Sequence, residues 1–321
     1  MDELCGVSGP DRVRDGDETL EQHVMRLTQP AIRRWRDALA ASEDPRRQAI
    51  ELAVTNAQPD FHILTAEERG TEPSKDTPVN NRLVLLATES SDPAIYSLAI
   101  GECQRGTDDM AAAAGPCQGL SWEHWADIDS DNGMPWLWIA AKAQRAGDQQ
   151  EVEEALAKAS TASRIEGYGS MLTALAIAAL PSASAPLEKA VAGTTAISMN
   201  AVGTPFEIMS LCSVTAIQQT VRNQECSAIA TTLAKRGSTL IDLLLAARMA
   251  DRLAFPPETR SALSAESLSA RAYSAKISPW RIPSEGSEFR CERILAYDRY
   301  IDSLRGGSER GALLAIAPSG R

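Results

Sequence analysis

Through most of the chain, apolar residues recur at steps of three and four, the spacing of one helix face. Val24, Leu27, Ile32, Trp35 and Leu39 define a first helix over 20–41, with Pro30 expected to break or kink it. Ser42 to Pro45 gives a cap-and-start signal, and a second helix follows from Arg46 to about Ala57, carrying Ile50, Leu52 and Val54. Gln58 to Val79 reads as loop, with Pro59, Gly70, Pro73 and Pro78 among charges and one helical turn over 60–68. Further helices are predicted over 80–87, from Asp92-Pro93, over 116–128, 164–180, 187–199, 205–222, 224–236, 239–255, 258–274 and 288–305. Val, Ile and Thr seldom alternate with polar residues over strand length, so no sheet is predicted. Residues 1–18 read as a flexible lead. A single helical domain is expected over 19–305, with a sub-boundary near 181–204, and residues 306–321 as a frayed, Gly-rich tail.

The clearest stretch is Asp129 to Ser160. Asp131 and Asn132 are side-chain acceptors before an apolar run, and Pro135 fits a first turn that needs no N–H. Trp136, Ile139, Ala140 and Ala143 then mark one face. Gly147 ends that helix and Asp148 caps the next, whose apolar face is Val152, Ala155, Leu156 and Ala159. Two helices joined by Gly-Asp make an antiparallel hairpin. With Trp136 at the first helix start, Ile139 after it, the Gly147-Asp148 turn and small Ala159 late in the second helix, the stretch resembles a tetratricopeptide (TPR) repeat. Ala140 stands where the family has glycine, and Val152 where it has a small residue. The likeness covers one repeat, and no second copy is visible at the family's period of about 34 residues. It implies an all-α solenoid of antiparallel hairpins whose concave face binds a protein or peptide.

Composition narrows this picture. Aromatic residues are only 5% of a chain of 321, while alanine is abundant, which favours closely packed helices. The net charge of −11 argues against nucleic acid, because phosphate contacts need clustered Lys and Arg. No run approaches the roughly 20 apolar residues that span a bilayer. The acidic, polar start MDELCGVSGPDRVRDGDETL is unlike an export signal and points to the cytoplasm.

The cysteines point elsewhere. Cys103 and Cys117, and again Cys212 and Cys226, are 14 residues apart and fall on consecutive predicted helices. An antiparallel hairpin brings such positions opposite one another, at disulfide distance. Cys5 and Cys291 are left over, and the sequence leaves open whether they pair with each other. Bridges imply an oxidising compartment such as the bacterial cell envelope. The alternative is six small buried hydrophobes.

Candidate chemistry is sparse. Asp127, Asp129 and Asp131, ahead of Asn132-Gly133, have the alternating oxygens of a calcium-loop opening, but Asn132 and Trp138 stand where the loop needs Gly and Glu, so a capped turn is the expectation. No zinc spacing, phosphate loop or serine elbow occurs, and no metal or cofactor is expected. Trp122, Trp125, Trp136 and Trp138 cluster, and Trp138 falls on a different helix face from Trp136. Trp138, His124 and Arg145 are the candidate partner-binding residues. An enzyme using His124 with Asp127 or Glu123 is the alternative function, and a structural or assembly protein of the envelope a third.

Overall fold

The computed structural model describes residues 2–5, 7–9, 20–56, 81–104, 115–199, 202–277 and 291–316. The architecture is all-α with one small β-ribbon. Strands β1 (Asp2–Leu4) and β2 (Val7–Gly9) pair antiparallel, Leu4 opposite Val7. Fifteen helices follow among the described residues. Helix α1 (Leu20–Ala40) runs through Pro30, and α2 (Pro45–Asn56) starts on the cap of Asp44, whose carboxylate accepts from the Arg46 N–H at 2.9 Å. Helices α3 (Asn81–Glu89) and α4 (Pro93–Gln104) come next, α4 capped by Asp92 in the same manner. The expected helical turn at 60–68 lies outside the described residues.

Helices α5 (Trp122–Ile128), α6 (Gly133–Ala146) and α7 (Gln149–Thr161) form the middle of the chain. Gly147 takes φ 76°, the left-handed turn predicted for it, and its N–H satisfies the last carbonyls of α6. Asn132 and Asp148 cap α6 and α7 as expected, through the N–H groups of Met134 and Glu151. Helices α8 (Gly169–Ala178), α9 (Pro186–Ile197), α10 (Ile208–Leu211), α11 (Thr220–Arg236), α12 (Leu240–Arg252), α13 (Pro257–Ile277), α14 (Cys291–Leu304) and α15 (Glu309–Ile316) complete it.

Neighbouring helices pack in hairpins: α1 on α2, α3 on α4, α6 on α7, α8 on α9, α11 on α12 and α12 on α13. Non-consecutive contacts join these hairpins into one body. Helix α2 reaches α8, α1 reaches α9, and α14 returns onto both α8 and α9. Fully buried Trp35 on α1 donates its indole N–H to the Ala176 carbonyl on α8 at 2.8 Å. Gly193 on α9 faces Ile301 on α14 so closely that a Cβ would strike the Ile301 side chain. The interior is a single continuous apolar cluster, rich in alanine, which is what lets helices approach this closely.

Several expectations are corrected. The lead at 1–18 contains the β-ribbon, and the tail at 306–321 contains α15, whose Ala312 and Leu313 are buried. The helix expected over 116–128 is a 3-10 turn (Gly115–Gly119) followed by α5, because Ser121 caps a fresh start at the His124 N–H. The helix expected from Arg164 begins at Gly169. The one expected over 205–222 is the four-residue α10, a 3-10 turn and the start of α11. On α6, Leu137 is wholly buried, whereas Trp136 is half-buried beneath the Lys158 ammonium, 4.0 Å from the ring centroid.

Candidate functional site

The predicted partner-binding residues divide into two places. Trp138 and Arg145 lie on α6, two turns apart and on one face. The Trp138 ring stacks on Trp122 of α5, centroids 4.9 Å apart and planes 6° from parallel. Its indole N–H donates to the Gly203 carbonyl at 2.9 Å. Arg145 pairs with Glu207 at 2.6 Å, and Gln144 beside it accepts from the Ser210 hydroxyl at 3.0 Å. Helix α6 thereby holds the segment 203–210 along its length. Between the two attachment points Phe206 projects outward, 68% exposed. Behind Trp138, Lys142 pairs with Glu123 of α5 at 3.3 Å. Burial pushes the Glu123 carboxyl up, but its own backbone N–H and the Lys142 ammonium outweigh that and hold it below the usual range.

His124 sits apart from this face. It is exposed on α5, its ring against Tyr96 of α4, centroids 5.1 Å apart and tilted by 58°. Tyr96 accepts from the Ser121 N–H at 3.0 Å, and burial raises its phenol above the ordinary range. Asp127 is exposed, and the Glu123 carboxylate is engaged by Lys142.

The disulfides predicted on spacing are formed. Cys103 at the end of α4 is bridged to Cys117 in the 3-10 turn, with Cα atoms 5.8 Å apart, and Cys212 just after α10 to Cys226 in α11, at 5.9 Å. Cys5 is bridged to Cys291 at the start of α14, at 5.2 Å. Neither of the first two staples joins two long helices; each fastens a short, irregular turn onto a long one.

A second polar assembly gave little sign of itself in the sequence. Asp129, 3% exposed, closes α5 and accepts from three side chains through Oδ2: Trp125 Nε1 at 3.3 Å, Asn132 Nδ2 at 2.8 Å and Tyr168 Oη at 2.9 Å. Its Oδ1 meets the Arg164 guanidinium, which also reaches Asp131 at 2.8 Å and Tyr168 Oη at 2.8 Å. Wholly buried Asn132 is saturated. Its Oδ1 accepts from Met134 and Glu166 backbone N–H groups, and its Nδ2 donates to the Glu166 carbonyl at 2.7 Å. Asp129 and Asp131 of the would-be calcium loop thus hold an arginine, and Asn132 caps a helix. Among the described residues no three His, Cys, Asp or Glu side chains gather as a metal site.

The backbone around this knot is constrained. Tyr168 adopts a left-handed φ of 64°, which costs an aromatic residue about 1 kcal/mol and is held by its hydroxyl contacts. A Cβ on Gly167 would overlap the Val202 carbonyl, so only glycine lets the two stretches of backbone touch there. Burial, and then the Asp129 charge, raise the Tyr168 phenol far above its ordinary value. Burial also raises the Glu166 carboxyl, with the Arg164 charge pulling the other way. The signals for this knot in the sequence were Asp129, Asp131 and Asn132; Arg164 and Tyr168 lie beyond the end of α7, in a stretch that reads as continuous helix.

A groove of about 430 Å³ lies between α2 and α3, lined by Gln48, Glu51, Leu52, Arg82, Leu85 and Glu89. In comparison with known proteins, the chain matches no family model, no curated protein and no solved structure.

Proposed function

We propose that the chain is a non-catalytic helical scaffold that binds a protein or peptide, TPR-like in the geometry of α6 and α7, and that the α6 face with the 203–210 segment is where it binds. The observation that carries this reading is Phe206, a large apolar side chain left out in solvent on a segment fixed at both sides of it. A ring that is exposed yet immobilised loses little freedom on docking. Around it stand the half-buried Trp138 and the Arg145–Glu207 pair, an aromatic centre with a charged rim. Protein interfaces are enriched in aromatic residues and Arg. Val214 and Val221, further along the segment that Cys212–Cys226 secures, add exposed apolar surface.

The three disulfides support a working place in an oxidising compartment, and the absence of any helix long and apolar enough to cross a membrane among the described residues leaves the body free of a span there.

The test is site-specific cross-linking in the cell that makes the protein. A photoreactive phenylalanine analogue at 206 should trap a protein partner, and the same analogue at Leu268 on α13, equally exposed at 65%, should not. Equal trapping at the two positions, or none at 206, would refute the proposal.

A further inference from the structure

The three disulfides differ in a way that assigns them different roles. Cys103, Cys117, Cys212 and Cys226 are all buried, and each of their bridges closes a separation of 14 residues within a local unit. Cys5 and Cys291 are both half-buried, and their bridge closes a separation of 286, joining the β-ribbon to the first residue of α14. A disulfide opens by attack of a thiolate on one of its sulfurs, so access sets which bridge opens first. The buried pair of bridges is shielded by the core they pack in.

What the third bridge holds is weak without it. The ribbon has three residue pairs, and a two-stranded ribbon of that size is marginal in water. Cys5 itself takes a left-handed φ of 47° in the turn, a region disfavoured for a non-glycine residue. Among the described residues, β2 also lies against α1. At the far end α14 is held independently, by α8, α9, α13 and α15. Opening the bridge therefore frees one side only.

We propose that Cys5–Cys291 is a redox-operated latch, opened by a dithiol, that releases the N-terminal ribbon from α1 while the helical body stays folded. A thiolate of the dithiol attacks one sulfur of the bridge, forming a mixed disulfide and expelling the other cysteine as thiolate. The second thiolate of the dithiol then attacks the mixed disulfide and expels the remaining cysteine. Two electrons pass to the protein sulfurs, the two protons of the dithiol end on Cys5 and Cys291, and the dithiol leaves as its own disulfide. The ribbon then uncovers the stretch of α1 it had packed on.

The full, oxidised chain would be equilibrated with increasing dithiothreitol under native conditions, alkylated and mapped by mass spectrometry. Cys5 and Cys291 should be labelled at concentrations about tenfold or more below those that label the other four. At that point amide exchange should accelerate over 2–9 and stay slow in α6, α7 and α12. The double variant Cys5→Ser, Cys291→Ser should show the same fast exchange over 2–9 with no reductant present. Simultaneous opening of all three bridges, earlier opening of a buried one, or a ribbon whose exchange is unchanged once its bridge is open would each overturn the latch.

Discussion

Two neighbouring parts of the molecule solve the same problem by different means. The hairpin α6–α7 is regular: two helices of more than three turns, capped at Asn132, Gly147 and Asp148, with a saturated polar knot at its open end and no disulfide in it. The segment 205–236 is irregular at its start: a four-residue helix, a 3-10 turn, then α11, with Phe206, Val214 and Val221 left in water. A regular hairpin satisfies its backbone internally and buries a stripe of side chains. The four-residue α10 does so only in part, burying Ile208 and Leu211, and there a covalent bridge, Cys212–Cys226, adds to the hold. The irregular segment thus leaves large apolar side chains in water while Ile208, Leu211 and Cys212 anchor it to the core.

The comparison can be broken most sharply at Asp129. Asp129→Ala would leave Arg164, Asn132, Tyr168 and Trp125 without a shared acceptor, and should lower stability by about 3–5 kcal/mol in a urea melt. A loss below 1 kcal/mol would mean that the knot is not what secures α5, α6 and the 162–168 turn. Next in size is the double change Cys212→Ser, Cys226→Ser. Opening that loop should cost about 2–4 kcal/mol, and limited proteolysis should cut first within 205–221. Cleavage elsewhere would show that the segment is held without its bridge.

Smaller effects separate anchor from scaffold on the α6 face. Trp138→Ala removes a stacked, hydrogen-bonded ring and should cost about 2 kcal/mol and loosen 203–210. Phe206→Ala should change stability by less than about 0.5 kcal/mol while abolishing partner capture. If both variants lose stability equally, Phe206 is packing and not a docking residue.

The smallest effect is one of pH. Burial raises the folded-state pKa of Glu166, so between the ordinary carboxylate range and that raised value the folded protein binds more protons than the unfolded chain. Stability from this group is intact below the ordinary range and declines as pH rises through the raised value. Glu166→Gln should therefore gain on the parent protein as pH rises from about 4 to 7, measured by urea melts across that range. A gap between the two that is flat with pH would contradict the shift.

What could be read in advance follows the range of the forces involved. The caps at Asn132, Gly147 and Asp148 were legible because a cap is settled by a residue and the backbone two or three positions away. The 14-residue cysteine spacing was legible as connectivity, though the prediction of two facing helices was not, since a bridge tolerates any pair of backbones at the right separation. Ile139, Ala140 and Ala143 are buried as the stripe predicts, while Trp136 sits at its edge and Leu137 is buried beside it, because neighbouring helix positions differ by about 100° and the buried face is wider than the stripe. The knot of Asp129 with Arg164 and Tyr168 was not legible. Its partners are 35 and 39 residues apart, and nothing local marks an arginine in a helical pattern as the ligand of a distant aspartate.

The sequence by itself determined the all-α class, the α6–α7 hairpin and the sulfur pairing within local units, because periodicity, caps and short loops act over one or two turns. Only the tertiary structure decided that α1 and α2 fold back onto α8 and α9, that α14 closes over them, and that Phe206 stands out while Trp138 lies down. Those outcomes depend on which apolar faces meet once every helix competes for the same core. That competition is among residues more than a hundred positions apart, and no local pattern encodes its result.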